Sequence, residues 1–89
     1  SMLDDEIPAE ILNAVEQQLA APQTRYVAKT FNRLRNTGLS DTEAKTQIAI
    51  VLGEQMAAML KRNRRFNEKA YKEALNELPM LADNEEDPP

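Results

Sequence analysis

The sequence predicts an all-α fold, a compact bundle of four helices with a long central third helix. Three observations carry that expectation. Apolar residues recur at helical spacing, with no strand-like alternation. Capping signals, above all Gly38 and the run Ser40-Asp41-Thr42-Glu43, divide the pattern into separate helices. Only short turns lie between them, which argues for neighbours packed in one bundle.

The first helix is expected over residues 8–20. Pro8 suits a first-turn position, where its missing N–H costs nothing. Ile11, Leu12, Val15 and Leu19 share one face, and Glu10 and Glu16 point away from it. Pro22 then disfavours a helical residue before it and ends the pattern. The second helix is expected from residue 22 or 23 to residue 36. Its buried stripe is Val27, Phe31 and Leu34, with Tyr26 and Thr30 at the margin. Arg25, Lys29, Arg33 and Arg35 make the rest of its surface cationic, and the last of these also suit the helix dipole.

Gly38 closes that helix, because only glycine takes a left-handed backbone at little cost. Ser40 and Glu43 then have the spacing of a capping box, each side chain accepting from the other's backbone N–H. Leu39 and Ala44 stand at the positions of a hydrophobic staple. The third helix runs from there over residues 41–62, about 33 Å at 1.5 Å per residue. Ala44, Ile48, Val51, Leu52, Met56, Met59 and Leu60 give it a wide apolar face. Ile50 and Ala57, flanking Gly53, form a second and narrower one. A helix apolar on two sides is central to its own bundle or covered by a partner. Gly53 costs about 1 kcal/mol relative to Ala in a helix interior, and a close helix crossing is the expected reason for it. Glu54 is expected on a solvated face. Asn67 caps the fourth helix, with Phe66 and Tyr71 as a second staple. Ala70 or Tyr71, Ala74, Leu75 and Leu78 are its buried face, and Pro79 stops it. Residues 79–82 are expected to pack back on the bundle.

Residues 1–82 are therefore expected to form one helical domain, with residues 1–7 a flexible lead-in. Residues 83–89, DNEEDPP, are expected to be a disordered acidic tail. Eighty-nine residues need every helix to build one core. With only two Tyr, two Phe and no Trp, that core must be mostly aliphatic and Met.

The composition bounds function as well. The chain has no Cys and no His, which removes the thiolate and imidazole chemistry used most often for nucleophiles, bases and metal ligands. No carboxylates cluster at ligand spacing, and the terminal Asp/Glu run lacks the glycine and spacing of a calcium loop. The expectation is a protein that is not an enzyme and has no catalytic residue, metal or cofactor. The longest apolar stretch, residues 48–60, falls short of the ~20 residues that span a bilayer, so no membrane partner is expected. Residues 2–6 are acidic and lack the basic start of a secretory signal. A cytoplasmic, bacterial protein is expected.

The formal charge of −4 conceals a segregation. Residues 22–72 hold all 11 Lys and Arg and four acids, a balance of +7, whereas the two ends together carry 11 acids and no base. The basic candidates for phosphate contact are Arg25, Lys29, Arg33 and Arg35 on the second helix, with Lys61, Arg62, Arg64 and Arg65 in the connector that follows the third. A helix-turn-helix is not expected, because the run after Gly38 continues unbroken for too long. The apolar candidates for a protein interface are Ile50, Gly53 and Ala57, joined by Met80 and Leu81. Met56 and Met59 suit an adaptable groove beside them.

The succession Val15-Glu16-Gln17-Gln18, Arg33-Leu34, Gly38-Leu39-Ser40, Glu43-Ala44, Ile48, Val51-Leu52, Phe66-Asn67, Tyr71 and Leu75 resembles small uncharacterised bacterial all-helical domains. The resemblance covers about residues 10–81 and implies a helical fold with no established activity. Leu12, Asn13, Lys45 and Thr46 stand where such sequences often carry His, so it brings no metal or acid–base role with it. The function expected is a non-enzymatic helical interaction module, binding a protein partner or itself as a homodimer. The alternative is a nucleic-acid-associated protein that uses the basic residues above.

Overall fold

Each predicted stop signal produces a helix end of known geometry, and the helices between them are four. The computed structural model describes residues 7–81. Its elements are α1 (Ala9–Ala20), a 3-10 turn (Pro22–Thr24), α2 (Arg25–Asn36), α3 (Asp41–Arg62) and α4 (Glu68–Asn76), with no strand among the described residues. The expectations for the acidic tail and for residues 1–6 of the lead-in lie outside the described residues. Ile7 is half-buried and packs against the core.

Pro8 caps α1 from outside it rather than sitting in the first turn, and Pro22 opens the 3-10 turn, so α2 begins at Arg25. At the other end of α2 the N–H of Leu39 bonds the Leu34 carbonyl at 3.4 Å and that of Gly38 bonds the Arg35 carbonyl at 3.0 Å. This pair of bonds is a Schellman motif, and it holds Gly38 at φ +108°, where a side chain is strained. The same motif ends α3. Asn63 takes φ 54°, its N–H reaches Leu60 O, and the N–H of Arg64 reaches Met59 O at 3.1 Å. Between these stops the capping box is formed: Glu43 N–H donates to Ser40 Oγ at 3.0 Å, and Ser40 N–H to Glu43 Oε1 at 2.8 Å. Asn67 caps α4 through Ala70 N–H at 3.0 Å. The Phe66 and Tyr71 rings meet edge to face at 5.5 Å, as the staple requires.

Helix α3 packs against the other three helices and supplies Ala44, Ile48, Ala49, Val51 and Leu52 to the core. Val15, Val27, Leu34, Tyr71, Leu75 and Leu78 complete it. Tyr71 is the largest fully buried side chain, and its hydroxyl donates to Gln18 Oε1 at 2.7 Å, so its polar end is satisfied inside the fold. No buried side-chain nitrogen or oxygen among the described residues lacks a partner.

Three expectations about packing are corrected. Leu60 is not part of the buried face of α3: it is 74% exposed, and Met59 lies outside the core cluster. The core ends near Met56 because α1 and α2 are only 12 residues each, too short to flank all 22 residues of α3. Gly53 does not sit at a close helix crossing. A Cβ built there would meet nothing within 4 Å. On α2, Thr30 is buried and Phe31 only half-buried, the reverse of the expected order. Thr30 can be buried because its hydroxyl donates to the Tyr26 carbonyl at 2.9 Å.

Candidate functional site

The basic residues do not act as a set. Arg33 is turned onto the end of α4, where its two terminal nitrogens donate to Leu78 O at 2.7 Å and Leu75 O at 2.9 Å. The Leu75 carbonyl also accepts from Leu78 N–H at 3.1 Å, and a guanidinium at a helix C-terminus complements the dipole. Arg35 donates to Leu39 O at 3.1 Å and stands 3.8 Å from Asp41. Lys45, absent from the sequence candidates, lies 2.8 Å from Glu16 and 3.0 Å from Asp41. Those two carboxylates raise its pKa, the hydrogen bond to Glu16 contributing most. Lys61, Arg62, Arg64 and Arg65 are exposed on the last turn of α3 and the connector after it.

Arg25, Lys29 and Arg33 recur every four residues and so share one side of α2. Helix α4 runs alongside in the same direction: Tyr26 bonds Glu68 near the two starts, and Arg33 bonds Leu75 and Leu78 near the two ends. Between the helices is an open cleft of about 280 Å³, lined by Tyr26, Lys29, Arg33, Lys72, Leu75 and Asn76, with Thr30 at its floor. The Lys72 ammonium stands 4.8 Å from the centre of the Tyr26 ring, within cation–π range. The Tyr26 hydroxyl donates to Glu68 Oε2 at 2.8 Å. Burial, and then Glu68, push the Tyr26 phenol up to about 12, so it remains neutral at any physiological pH. Burial raises the pKa of Tyr71 too, and the neighbouring Tyr26 adds to it. Lys72 and Asn76 belong to this cleft, but their spacing on α4 reads as an ordinary solvated face, and nothing in the sequence brings them opposite Lys29.

Three of the apolar candidates share one side of α3, and a fourth, Met80, is tied to the same helix through Gln47. Ile50, Gly53, Ala57 and Leu60 follow one another at three- and four-residue steps along the outer side of α3. Ile50 is half-buried without joining the core cluster, and Ala57 is exposed. Gln47, one turn before Ile50, holds the chain after α4 by both ends of its amide. Its Nε2 donates to Met80 O at 3.2 Å, and its Oε1 accepts from Met80 N–H at 2.8 Å. Met80 is thereby half-buried beside α3, and Leu81 stands 86% exposed next to it. Apolar surface is thus left along α3 at Ala57 and Leu60, and Leu81 is exposed on the segment that Gln47 holds. Glu54 of α3 is exposed as well.

Among the described residues no group of three or more acids is placed to hold a metal ion, and no helix is long and apolar enough to cross a membrane. No protein-family model, no curated protein and no solved structure matches the chain.

Proposed function

We propose that this domain is a helical interaction module that pairs with a second copy of itself through the outer side of α3. The observation that carries the reading is Gly53. A glycine in mid-helix costs about 1 kcal/mol against Ala, and among the described residues nothing stands close enough to account for it. A partner helix lying across Gly53 and Ala57 does account for it, because small residues let two backbones approach.

A second copy fits the ends of this face as well as its centre. Helix α3 begins with Asp41 and Glu43 and ends with Lys61 and Arg62. Two such helices antiparallel about Gly53 bring the acidic start of each near the basic end of the other, and their dipoles oppose. The symmetry is isologous, so one patch serves both subunits. Glu43 and Lys61 flank the apolar line on the same side of the helix, where that pairing needs them. Nucleic-acid binding through Arg25, Lys29 and the cations at 61–65 is the second reading. Their exposure supports it, while the engagement of Arg33 and Arg35 within the fold removes two of its eight contacts.

Sedimentation equilibrium across a wide concentration range tests the proposal. A monomer–dimer equilibrium is expected, and Ala57→Glu should give monomers of unchanged helicity by circular dichroism. Unmodified protein that stays monomeric at the highest concentration overturns the reading.

A further inference from the structure

We infer that the cleft between α2 and α4 binds the phosphate monoester group of a small organic molecule. The inference is independent of the α3 pairing and uses different helices.

Three cations converge on the cleft from both sides, Lys29 and Arg33 from α2 and Lys72 from α4. Among the described residues none of them has a carboxylate within 4.0 Å, unlike Arg35 and Lys45. The partners they do have are neutral. Arg33 is fixed by two backbone carbonyls, and Lys72 lies over the face of a phenol ring. Neither contact cancels a positive charge; both hold it in place. Of the two acids on α4, Glu68 stands one turn before Lys72 with its Oε2 engaged by Tyr26, and Glu73 adjoins Lys72 in sequence without forming an ion pair with it. The cleft therefore keeps an excess of positive charge that an anion would relieve.

The donor types select among anions. A carboxylate is best met by the paired N–H groups of a guanidinium. Here both terminal nitrogens of Arg33 are already turned onto Leu75 and Leu78. What faces the cleft is two ammonium groups, on opposite walls, with the amide of Asn76. Point charges in several directions suit a tetrahedral dianion with three acceptor oxygens. At about 280 Å³ the cleft has more room than one phosphate needs. The surplus is bounded by the Tyr26 ring and Leu75, surfaces for an apolar or aromatic body.

The test is a titration of the full-length ¹⁵N-labelled protein, followed by amide shifts. The probes are inorganic phosphate, adenosine 5′-monophosphate, succinate, and a short single-stranded oligonucleotide without a terminal phosphate. Phosphate and the nucleotide should give saturable shifts at Lys29, Thr30, Lys72 and Asn76, tighter for the nucleotide, with succinate clearly weaker. Lys29→Gln and Lys72→Gln should each weaken nucleotide binding about tenfold. Arg62→Gln should leave it unchanged. Both lysines are exposed, and Lys72→Arg, which keeps the charge over Tyr26, should retain most of the binding should the glutamine variant lose structure. Absence of saturable shifts at the cleft overturns the inference, as does succinate binding equal to phosphate. Tighter binding of the oligonucleotide, with shifts spreading to residues 61–65, also overturns it and moves the site to a polymer.

Discussion

Replacing Gly53 with Ala sets intrinsic helix preference against the proposed pairing, and the two respond in opposite directions. In an isolated chain the added methyl meets no atom of the described residues within 4 Å, so it costs nothing in packing against them. It removes the backbone freedom that glycine loses on entering a helix, a gain of about 0.8–1 kcal/mol. For a domain of this size that raises the melting temperature by about 4–8 °C. Across a two-fold contact at Gly53 the same substitution places two methyl groups where the backbones meet. Overpacking of that kind costs about 1–3 kcal/mol, roughly 5- to 150-fold in the dissociation constant. Thermal melts followed by circular dichroism should therefore show the variant more stable than the parent at high dilution. Sedimentation should show it less associated at high concentration. A variant that melts lower even when dilute refutes the open space beside Gly53. A variant that is stabilised but dimerises unchanged removes Gly53 from the contact and, with it, the main support for the α3 pairing.

Three further outcomes are expected. Ser40→Ala removes one half of the capping box and should lower stability by about 0.5–2 kcal/mol in chemical denaturation with the helical signal retained; an unchanged midpoint would deny the box an energetic role. Gln47→Ala should raise the hydrogen-exchange rate of the Met80 amide, whose acceptor it removes, while core amides such as that of Ile48 stay protected; equal protection of Met80 in both proteins would show that the segment is held by something else. Alkaline conditions should lower the protein's stability. The Tyr26 phenol ionises near 10 in an unfolded chain and only near about 12 in the fold, so stability is complete below pH ~10 and is lost as pH rises toward the folded value. Tyr26→Phe should flatten that loss in melts taken across the interval, and a loss of the same size in both proteins would assign it to other groups. Lys45, raised by Glu16 and Asp41, acts in the same alkaline direction.

Helix ends were the most legible part of the fold, and the reason is locality. The boundaries of α3, the Ser40–Glu43 reciprocity and the Phe66–Tyr71 staple depend on residues at most five apart, so spacing alone determines who meets whom. The depth of burial along α3 was legible only in its first half. Periodicity places Met59 and Leu60 on the apolar side, but it holds no information on how far neighbouring helices extend. The same limit applies to Gly53, whose cost is local and whose reason is not. The cleft was the least legible feature. Lys29 and Arg33 share a helix and could be paired from spacing, whereas Lys72 and Asn76 come from a helix some forty residues later, roughly the separation at which topology rather than local pattern decides contacts. The long-range bonds that build it, from Arg33 to Leu75 and Leu78 and from Tyr26 to Glu68, left no trace in the sequence, where nothing marks Arg33 among its neighbours as the residue that makes them.

The division of the basic residues also gives the charge segregation a physical meaning. Arg33 and Arg35, which look alike in the sequence as cations near one helix end, do different work two residues apart. Arg35 lies beside Asp41 at the α2–α3 turn, so its charge is answered within the fold. Arg33 spends its hydrogen bonds on neutral carbonyls, docking the segment that Gln47 then grips from α3 at Met80. One arginine thus ties the end of α4 to α2 and leaves a positive charge facing the cleft. The segment it docks leads through Met80, held by Gln47 of α3, to the exposed Leu81. The two proposed surfaces are consequently linked through the chain from Leu75 to Leu81. Loosening Arg33 by substitution should disturb both surfaces at once, whereas substitutions at Lys29 or Ala57 should each disturb one.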